Sequence, residues 1–370
     1  MRIGIIGAGQ LGRMMALSGI PLGLHFTMYD RSVDAPGAAV APIVTGAFDD
    51  LPALARFARG VDVLTFDWEN VPVASARTVA RIAPVRPPPR ALAIGQDRLL
   101  EKRLFQRLGI PVAPHAAVHD RHGLERAIAM LGLPGILKSR RLGYDGKGQA
   151  PLRHPPDAAA AWRLLGGQSL IYERFVRFTH EVSLIAARDR TGSIACYPLV
   201  ENVHVRGILA ESRAPFPDAG LQRSAERHIR RLLRELRYIG VICVEFFVEQ
   251  GRLVANEFAP RVHNSGHWTI EGAETSQFEN HVRAIAGMPL GSTRPRGHSV
   301  MVNLVGSLPP ARELLCLPGV HWHDYGKSPR PGRKLGHLTK VCASRRDRDR
   351  AGAELRRLAA PKKARESPIC

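Results

Sequence analysis

Three stretches of this chain combine residue types and spacings that could do chemistry. The first is Lys138-Ser-Arg-Arg-Leu-Gly-Tyr-Asp-Gly-Lys-Gly-Gln149, with glycines at Gly143, Gly146 and Gly148, a second lysine at Lys147 and one acid, Asp145. Successive backbone N–H groups in such a loop form a concave anion site, and Lys138 can meet a phosphate as a point charge. A lid over the phosphates of a nucleotide fits this composition; a basic hairpin turn fits it as well. The second stretch, residues 241–260, holds two apolar strands joined at Gln250-Gly251. A register that pairs Glu249 with Leu253 sets Glu245 directly opposite Glu257. Like charges opposed in a sheet destabilise it, so a cation should lie between them. Mg²⁺ takes one or two carboxylates plus substrate phosphates, and Mn²⁺ is the alternative. The neighbours Val244, Phe246, Phe247, Val254 and Phe258 argue against two unrelated surface acids, because unpaired buried charge is costly. In the third stretch, residues 326–337, Lys327, Arg330, Arg333, Lys334 and His337 sit on a backbone stiffened by two prolines. That suits a phosphate monoester or a developing anion, with a solvated basic loop as the plain alternative.

Arg261-Val-His263-Asn264-Ser265-Gly-His267-Trp268 follows the carboxylate pair at once. His263 and His267 have a spacing that would suit zinc on a helix. Asn264-Ser265-Gly266 favours a loop instead, and no glutamate follows the first histidine as in H-E-x-x-H. Zinc is rejected, and His263, Asn264 and Ser265 read as a substrate-holding turn. His321 and His323 flank Trp322 without a third ligand nearby and read as structural. The five cysteines are scattered, with no C-x-x-C pair. That points to a reducing cytoplasm rather than to a disulfide framework or a cysteine zinc site.

The elements that must carry these residues follow from the pattern along the chain. A length of 370 residues suggests two or three domains, and 45% hydrophobic with 23% charged residues is an ordinary soluble composition. No apolar run approaches the ~20 residues that cross a bilayer, and the N-terminus has the wrong layout for a signal peptide. Residues 2–6 read as a strand, followed by Gly7-Ala-Gly9-Gln-Leu-Gly12, a helix over 13–18 and a second strand ending at Asp30. This is the dinucleotide fingerprint G-x-G-x-x-G with an acid about 20 residues on. Alone, it would favour a nicotinamide enzyme. A third strand, 61–66, leads to Asp67-Trp-Glu-Asn70 at the carboxyl end, where α/β sheets put their ligands. A stiff Pro-rich segment at 84–90 marks a boundary. Beyond it come a helix over 92–108 and a small α/β unit carrying the glycine loop: helix 124–131, strand 135–138, helix 156–165, strand 169–172. From Glu181, long strands (181–189, 193–199, 240–248, 252–258) surround a basic amphipathic helix over 224–237 with Ile229, Leu232, Leu233 and Leu236 on one face. That pattern predicts an antiparallel sheet with a helix on it. The net charge is +20, and residues 321–370 hold 14 Lys or Arg against 5 Asp or Glu.

The glycine loop, the Glu245/Glu257 pair with Asn256 beside it, and Tyr172-Glu173-Arg174-Phe175-Val176 together resemble the ATP-grasp superfamily. The resemblance implies an arm loop, from Gly143 through Tyr144 and Asp145 to Gln149, closing on the triphosphate of ATP with Arg98 and Lys138. It also implies a hinge at 173–176 offering backbone groups to adenine, Glu181 on the ribose hydroxyls, and His204 and Asn256 in the nucleotide site. Gly-Tyr-Asp-Gly-Lys-Gly-Gln149, Asn-Glu-Phe-Ala-Pro-Arg-Val-His-Asn-Ser-Gly-His-Trp-Thr-Ile-Glu-Gly272 and Pro-Gly-Arg-Lys-Leu-Gly-His337 are similar, more narrowly, to the N5-carboxyaminoimidazole ribonucleotide synthetases. These are the ATPase subunit of bacterial phosphoribosylaminoimidazole carboxylase, and the likeness runs from residue 1 to about 340.

The fold implied is a multidomain α/β and α+β chain. A Rossmann-like N-terminal domain (1–95) precedes an ATP-grasp fold with a small lid-bearing subdomain (96–172) and a large subdomain with the Mg²⁺ and adenine sites (173–295). A small C-terminal domain (296–370) carries the basic substrate loop and a basic tail. The reaction implied joins ATP, bicarbonate and 5-aminoimidazole ribonucleotide, through carboxyphosphate, to N5-carboxyaminoimidazole ribonucleotide, ADP and phosphate in purine synthesis. It would run in a cytoplasmic homodimer. Tyr144, Asp145 and Lys334 would sit at the carboxyl-transfer site, with Asp145 accepting the amine proton. Lys327 and Arg333 would meet the ribonucleotide phosphate.

Departures from the family pattern are few. Thr65-Phe-Asp-Trp-Glu-Asn70 stands where Thr-Tyr-Glu-Phe-Glu-Asn is common, Ala8 interrupts a glycine run, and Val205-Arg206-Gly207 replaces Arg-Asp-Gly after His204. Three alternatives compete. A nicotinamide dehydrogenase explains only the first 30 residues. A formate-dependent glycinamide ribonucleotide transformylase shares the domain order but not the Tyr144-Asp145 pair and Arg333-Lys-Leu-Gly-His337. A nucleic-acid binder would explain the charge, but the basic tail lacks the interleaved aromatics that stack single strands. Neither nucleic acid nor a membrane is expected as a partner.

Overall fold

The computed structural model describes residues 1–143 and 148–360, whose strands form three sheets. The N-terminal sheet is parallel, with Arg2–Ile6 between His25–Asp30 and Val63–Phe66 and Ile43–Thr45 at the edge. Ile3, Ile5 and Ile6 are fully buried, as in parallel strands covered on both faces.

The segment expected as one helix over 92–108 is two, Pro89–Gly95 and Arg98–Arg107. Asp97 makes the break. Its carboxylate accepts the amides of Leu99 and Leu100 and so caps the second helix. Arg140 in turn grips Asp97 through Nε (3.0 Å) and Nη2 (2.7 Å). The apolar period runs through the break because Ala91, Leu104 and Phe105 pack into one core.

The small sheet is antiparallel, in the order His115–Val118, Leu170–Arg174, Gly135–Ser139, Gln149–Leu152. The glycine loop therefore joins two neighbouring strands. Tyr144, Asp145, Gly146 and Lys147 lie outside the described residues.

The large sheet has nine strands. The strand expected over 193–199 is shorter, Ile194–Cys196, and a separate strand, Val200–Val205, begins just beyond it. A further strand, Ile208–Ala214, follows a two-residue turn at Arg206 (φ 52°) and Gly207 (φ 77°). Paired left-handed residues of this kind match the twist of a hairpin. His298–Val305 pairs with Ile208–Ala214, and Lys334–Cys342 and Val320–Asp324 continue from it. The C-terminal unit is thus built onto the same sheet. Helix Ala219–Glu235 buries Leu221, Ala225, Ile229, Leu232 and Leu233 in the core beneath the sheet. Helix Arg345–Ala359 covers the far end, with Ala351 and Leu355 against Val300 and Val302. Among the described residues no helix is long and apolar enough to cross a membrane.

Candidate active site

Strands Gly240–Glu249 and Arg252–Ala259 form the hairpin that carries the carboxylate pair. Gln250 (φ 50°) and Gly251 (φ 71°) make its turn. Near the turn the register differs from expectation: Glu249 faces Arg252, and Val248 faces Leu253. A bulge then accommodates Asn256 as an extra residue, and beyond it Glu245 faces Glu257 as expected. Bulges bend a strand and re-aim its side chains. Among the described residues the buried Asn256 Oδ1 has no hydrogen-bond partner, which marks a polar group awaiting one.

Cations surround this hairpin. Arg98 Nη1 donates to Glu257 Oε2 at 2.7 Å, and Nη2 donates to the Gly143 carbonyl at 3.1 Å. Lys138 and Lys102 converge on one oxygen, Glu173 Oε2, at 3.1 and 3.3 Å. Burial would raise Glu173, but Lys102 and Lys138 outweigh it and hold its carboxyl at about 2. Burial lowers Lys138, and Glu173 opposes that shift. Within the pair, enclosure and the charge of Glu257 push Glu245 up to about 7, against His204 and Lys334. Enclosure would raise Glu257 too, but Arg98 brings it below its ordinary value. Glu257 is therefore the ionised member, and its side chain stays 40% exposed. His263 Nε2 lies 3.4 Å from Glu245 Oε1, and burial pushes the imidazole well below its usual range. His204 Nδ1 lies 3.1 Å from Glu181 Oε2. Burial would lower His204, but Glu181 and Glu245 raise it.

At the end of the basic loop, Lys334 opens strand Lys334–Cys342, and its charge acts on Glu245, His204 and His263. Arg333 Nη1 donates to the Ser328 carbonyl at 3.1 Å. The Lys327 ammonium stands 5.9 Å from the Tyr325 ring centre. Burial lowers Lys327 to about 8, with Asp67 opposing and Arg333, Lys334 and Arg330 adding.

Four of the expected places have partners within the protein itself. The amides of Arg174 and Phe175 donate to Pro114 O (2.9 Å) and Pro134 O (3.0 Å). Those two hinge N–H groups are engaged within the fold, and the Glu173 side chain turns inward to the lysines. Ser265 is fully buried, with its Oγ accepting from Ser183 at 2.8 Å and lying 2.8 Å from His263 Nδ1. It orients His263 from behind rather than facing a substrate. The Asn264 side chain exchanges hydrogen bonds with Asn303 at 3.1 and 2.7 Å. His337, counted with the cationic loop, is fully buried beside the Tyr325 hydroxyl at 2.9 Å, and burial pushes it well below its usual range.

The N-terminal glycine turn is filled by the protein itself. Gly9 and Gly12 donate their amides to Asp67, and Ala8 donates to Asp30 Oδ2 at 2.8 Å. The groups that would cradle a pyrophosphate already hold carboxylates. Sequence reasoning placed Asp67 at a ligand-binding strand end but missed this role. It also missed Glu101 and Lys102. Arg98, Glu101 and Lys102 lie at i, i+3 and i+4, which puts them on one helix face, and that spacing was the available signal.

A parallel N-terminal sheet, a glycine arm between antiparallel strands, and an opposed carboxylate pair ringed by Arg98, Lys102 and Lys138 define an ATP-grasp enzyme. The chain matches the ATP-grasp domain over residues 103–278. It matches the ribonucleotide synthetase preATP-grasp domain over 1–96 and the phosphoribosylaminoimidazole carboxylase C-terminal domain over 299–351. It is 48% identical to the N5-carboxyaminoimidazole ribonucleotide synthase of Pseudomonas aeruginosa, over 93% of this chain and 96% of the relative. The corresponding protein of Brucella melitensis is 46% identical over 92% and 96%. Among solved structures, the N5-carboxyaminoimidazole ribonucleotide synthetase of Thermus thermophilus superposes with a TM-score of 0.93 at 51% identity, covering 96% of this chain and 98% of that one. The synthase of Aspergillus clavatus, solved with ADP and 5-aminoimidazole ribonucleotide, gives 0.91 at 28% identity over 97% and 98%. The chain belongs to the N5-carboxyaminoimidazole ribonucleotide synthase family. It carboxylates 5-aminoimidazole ribonucleotide at the expense of ATP in purine biosynthesis, which sets aside the nicotinamide and transformylase alternatives.

Proposed function

We propose that the cleft between the hairpin, the glycine arm and the basic loop phosphorylates bicarbonate with ATP and passes the carboxyl group to the ribonucleotide amine. The observation that carries this is the Glu245–Glu257 pair, opposed across one hairpin with unequal proton affinities. The donor set fits Mg²⁺, or Mn²⁺: two carboxylates side by side, with Asn256 Oδ1 lacking a partner among the described residues. Glu245 and Glu257 would hold the ion, which when bound neutralises charge on the transferred phosphoryl group. Arg98, Lys138 and the arm from Gly143 to Gln149 bind the triphosphate. The hinge at 173–176, Glu181 and His204 take the adenosine, with adenine left to the hinge groups other than the Arg174 and Phe175 amides.

Bicarbonate needs activation because its own leaving group would be hydroxide. A bicarbonate oxygen attacks the γ-phosphorus, ADP leaves and carboxyphosphate forms. The amine nitrogen then attacks the carboxyl carbon, phosphate leaves, and Asp145 takes the amine proton. Lys334 stabilises the carboxylate, Tyr144 helps close the site, His263 and Asn264 line the substrate side, and Lys327 and Arg333 bind the ribonucleotide phosphate. Closing the arm excludes water from the labile intermediate. The family resemblance extends this to a homodimer in the cytoplasm, which sedimentation equilibrium tests in its first part. The chemistry is tested with ¹⁸O-bicarbonate. Released phosphate should carry one labelled oxygen per turnover, and unlabelled phosphate would refute the carboxyphosphate step.

A further inference from the structure

Part of the outer edge of strand Arg252–Ala259 is bounded by side chains instead of by a neighbouring strand. The Ala255 amide donates to the Pro111 carbonyl at 2.7 Å. Beyond it, Lys102 Nζ donates to the Asn256 carbonyl at 2.9 Å and to the Ala255 carbonyl at 3.4 Å. The Phe258 amide donates to Glu101 Oε1 at 2.6 Å. A bulged edge leaves N–H and C=O groups without ladder partners, and such groups are costly when buried. The adjacent Glu101 and Lys102 satisfy both kinds, and each residue is only 2% exposed. Glu257 lies between the two groups they anchor. Lys102 also reaches Glu173 Oε2 at 3.3 Å, the oxygen that holds Lys138.

We propose that Glu101 and Lys102 are positioning residues for the phosphoryl-transfer site. By clamping the Asn256 carbonyl and the Phe258 amide they hold the bulge that sets Glu257 opposite Glu245. Through Glu173, Lys102 ties that setting to Lys138. This rests on Glu245 and Glu257 being the Mg²⁺ pair.

The test is calorimetric titration of the full chain with ADP across a series of Mg²⁺ concentrations, comparing wild type with Lys102→Met, Lys102→Arg, Glu101→Met and Glu257→Gln. Loss of an outer partner typically weakens metal binding ~10–100-fold. Lys102→Met should raise the Mg²⁺ midpoint by about 10-fold or more, and Lys102→Arg, which keeps donors there, should recover most of the shift. The KM for 5-aminoimidazole ribonucleotide should stay within about twofold, because ground-state binding of that substrate is untouched. If Lys102→Met keeps the wild-type midpoint while Glu257→Gln moves it, the clamp is wrong and the metal pair stands. If Glu257→Gln leaves the midpoint unmoved, the metal pair falls and the clamp with it. Should Lys102→Met fail to fold, Glu101→Met decides: a raised midpoint supports the clamp, and an unchanged one overturns it.

Discussion

Glu245 and Glu257 face each other at one point of one hairpin, yet Arg98 makes them unequal. Glu257 is held ionised, and Glu245 keeps its proton up to about 7, above the ordinary 4.5. A carboxyl raised in the folded state favours folding while protonated. Its contribution is full below pH 4.5 and is lost as pH rises through about 7. In chelator, Glu245→Gln should therefore match wild type near pH 5 and exceed it at pH 8 by on the order of 2 kcal/mol. Thermal melts at the two pH values check this, and equal stability at pH 8 would count against the like-charge strain. Metal-dependent activity should be lost in the same variant. Glu173 behaves oppositely. Held at about 2 by Lys102 and Lys138, it adds stability that is present above pH 4.5 and lost as pH falls through about 2. Glu173→Gln leaves two buried lysines without their counter-charge. It should cost roughly 3–5 kcal/mol in urea unfolding. A loss under ~1 kcal/mol, typical of exposed pairs, would show that the lysines find other partners.

Helix Arg98–Arg107 organises these residues, because Asp97 fixes where it starts and Arg140 ties that start to the foot of the glycine arm. Asp97→Ala removes the cap and the ion pair together. The cap alone is worth ~0.5–2 kcal/mol, so chemical denaturation should show at least that loss, with a raised KM for ATP. An unchanged KM would separate the arm from the helix. The break at Asp97 could not be read from periodicity, since Leu92, Leu99, Leu104 and Phe105 keep one apolar pattern across it. The hairpin register was legible at the carboxylate pair but not at the turn, because a bulge changes pairing without changing composition. Ser265, Asn264 and His337 read as polar site residues. Their settings depend on Ser183, Asn303 and Tyr325, partners brought together only by the tertiary fold.

Across the whole chain, the order of elements was visible in the sequence. A glycine turn after a strand, a small α/β unit with an arm, and a large antiparallel sheet each left a pattern in apolar spacing. The route of that sheet into the C-terminal unit was not visible, because Ile208–Ala214 shows no clear alternation and its pairing to His298–Val305 is non-local. The N-terminal turn has the form of a dinucleotide site but is filled by Asp67 and Asp30. Titration with NADH should accordingly show no saturable binding, and a micromolar Kd would contradict the structure. The proposed coupling of ATP cleavage to carboxyl transfer draws on all of these features. Phosphate release from ATP and bicarbonate, measured with and without 5-aminoimidazole ribonucleotide, tests that coupling most directly. Strong stimulation by the ribonucleotide is predicted, with one phosphate released per ribonucleotide carboxylated; release that is indifferent to the ribonucleotide would contradict it.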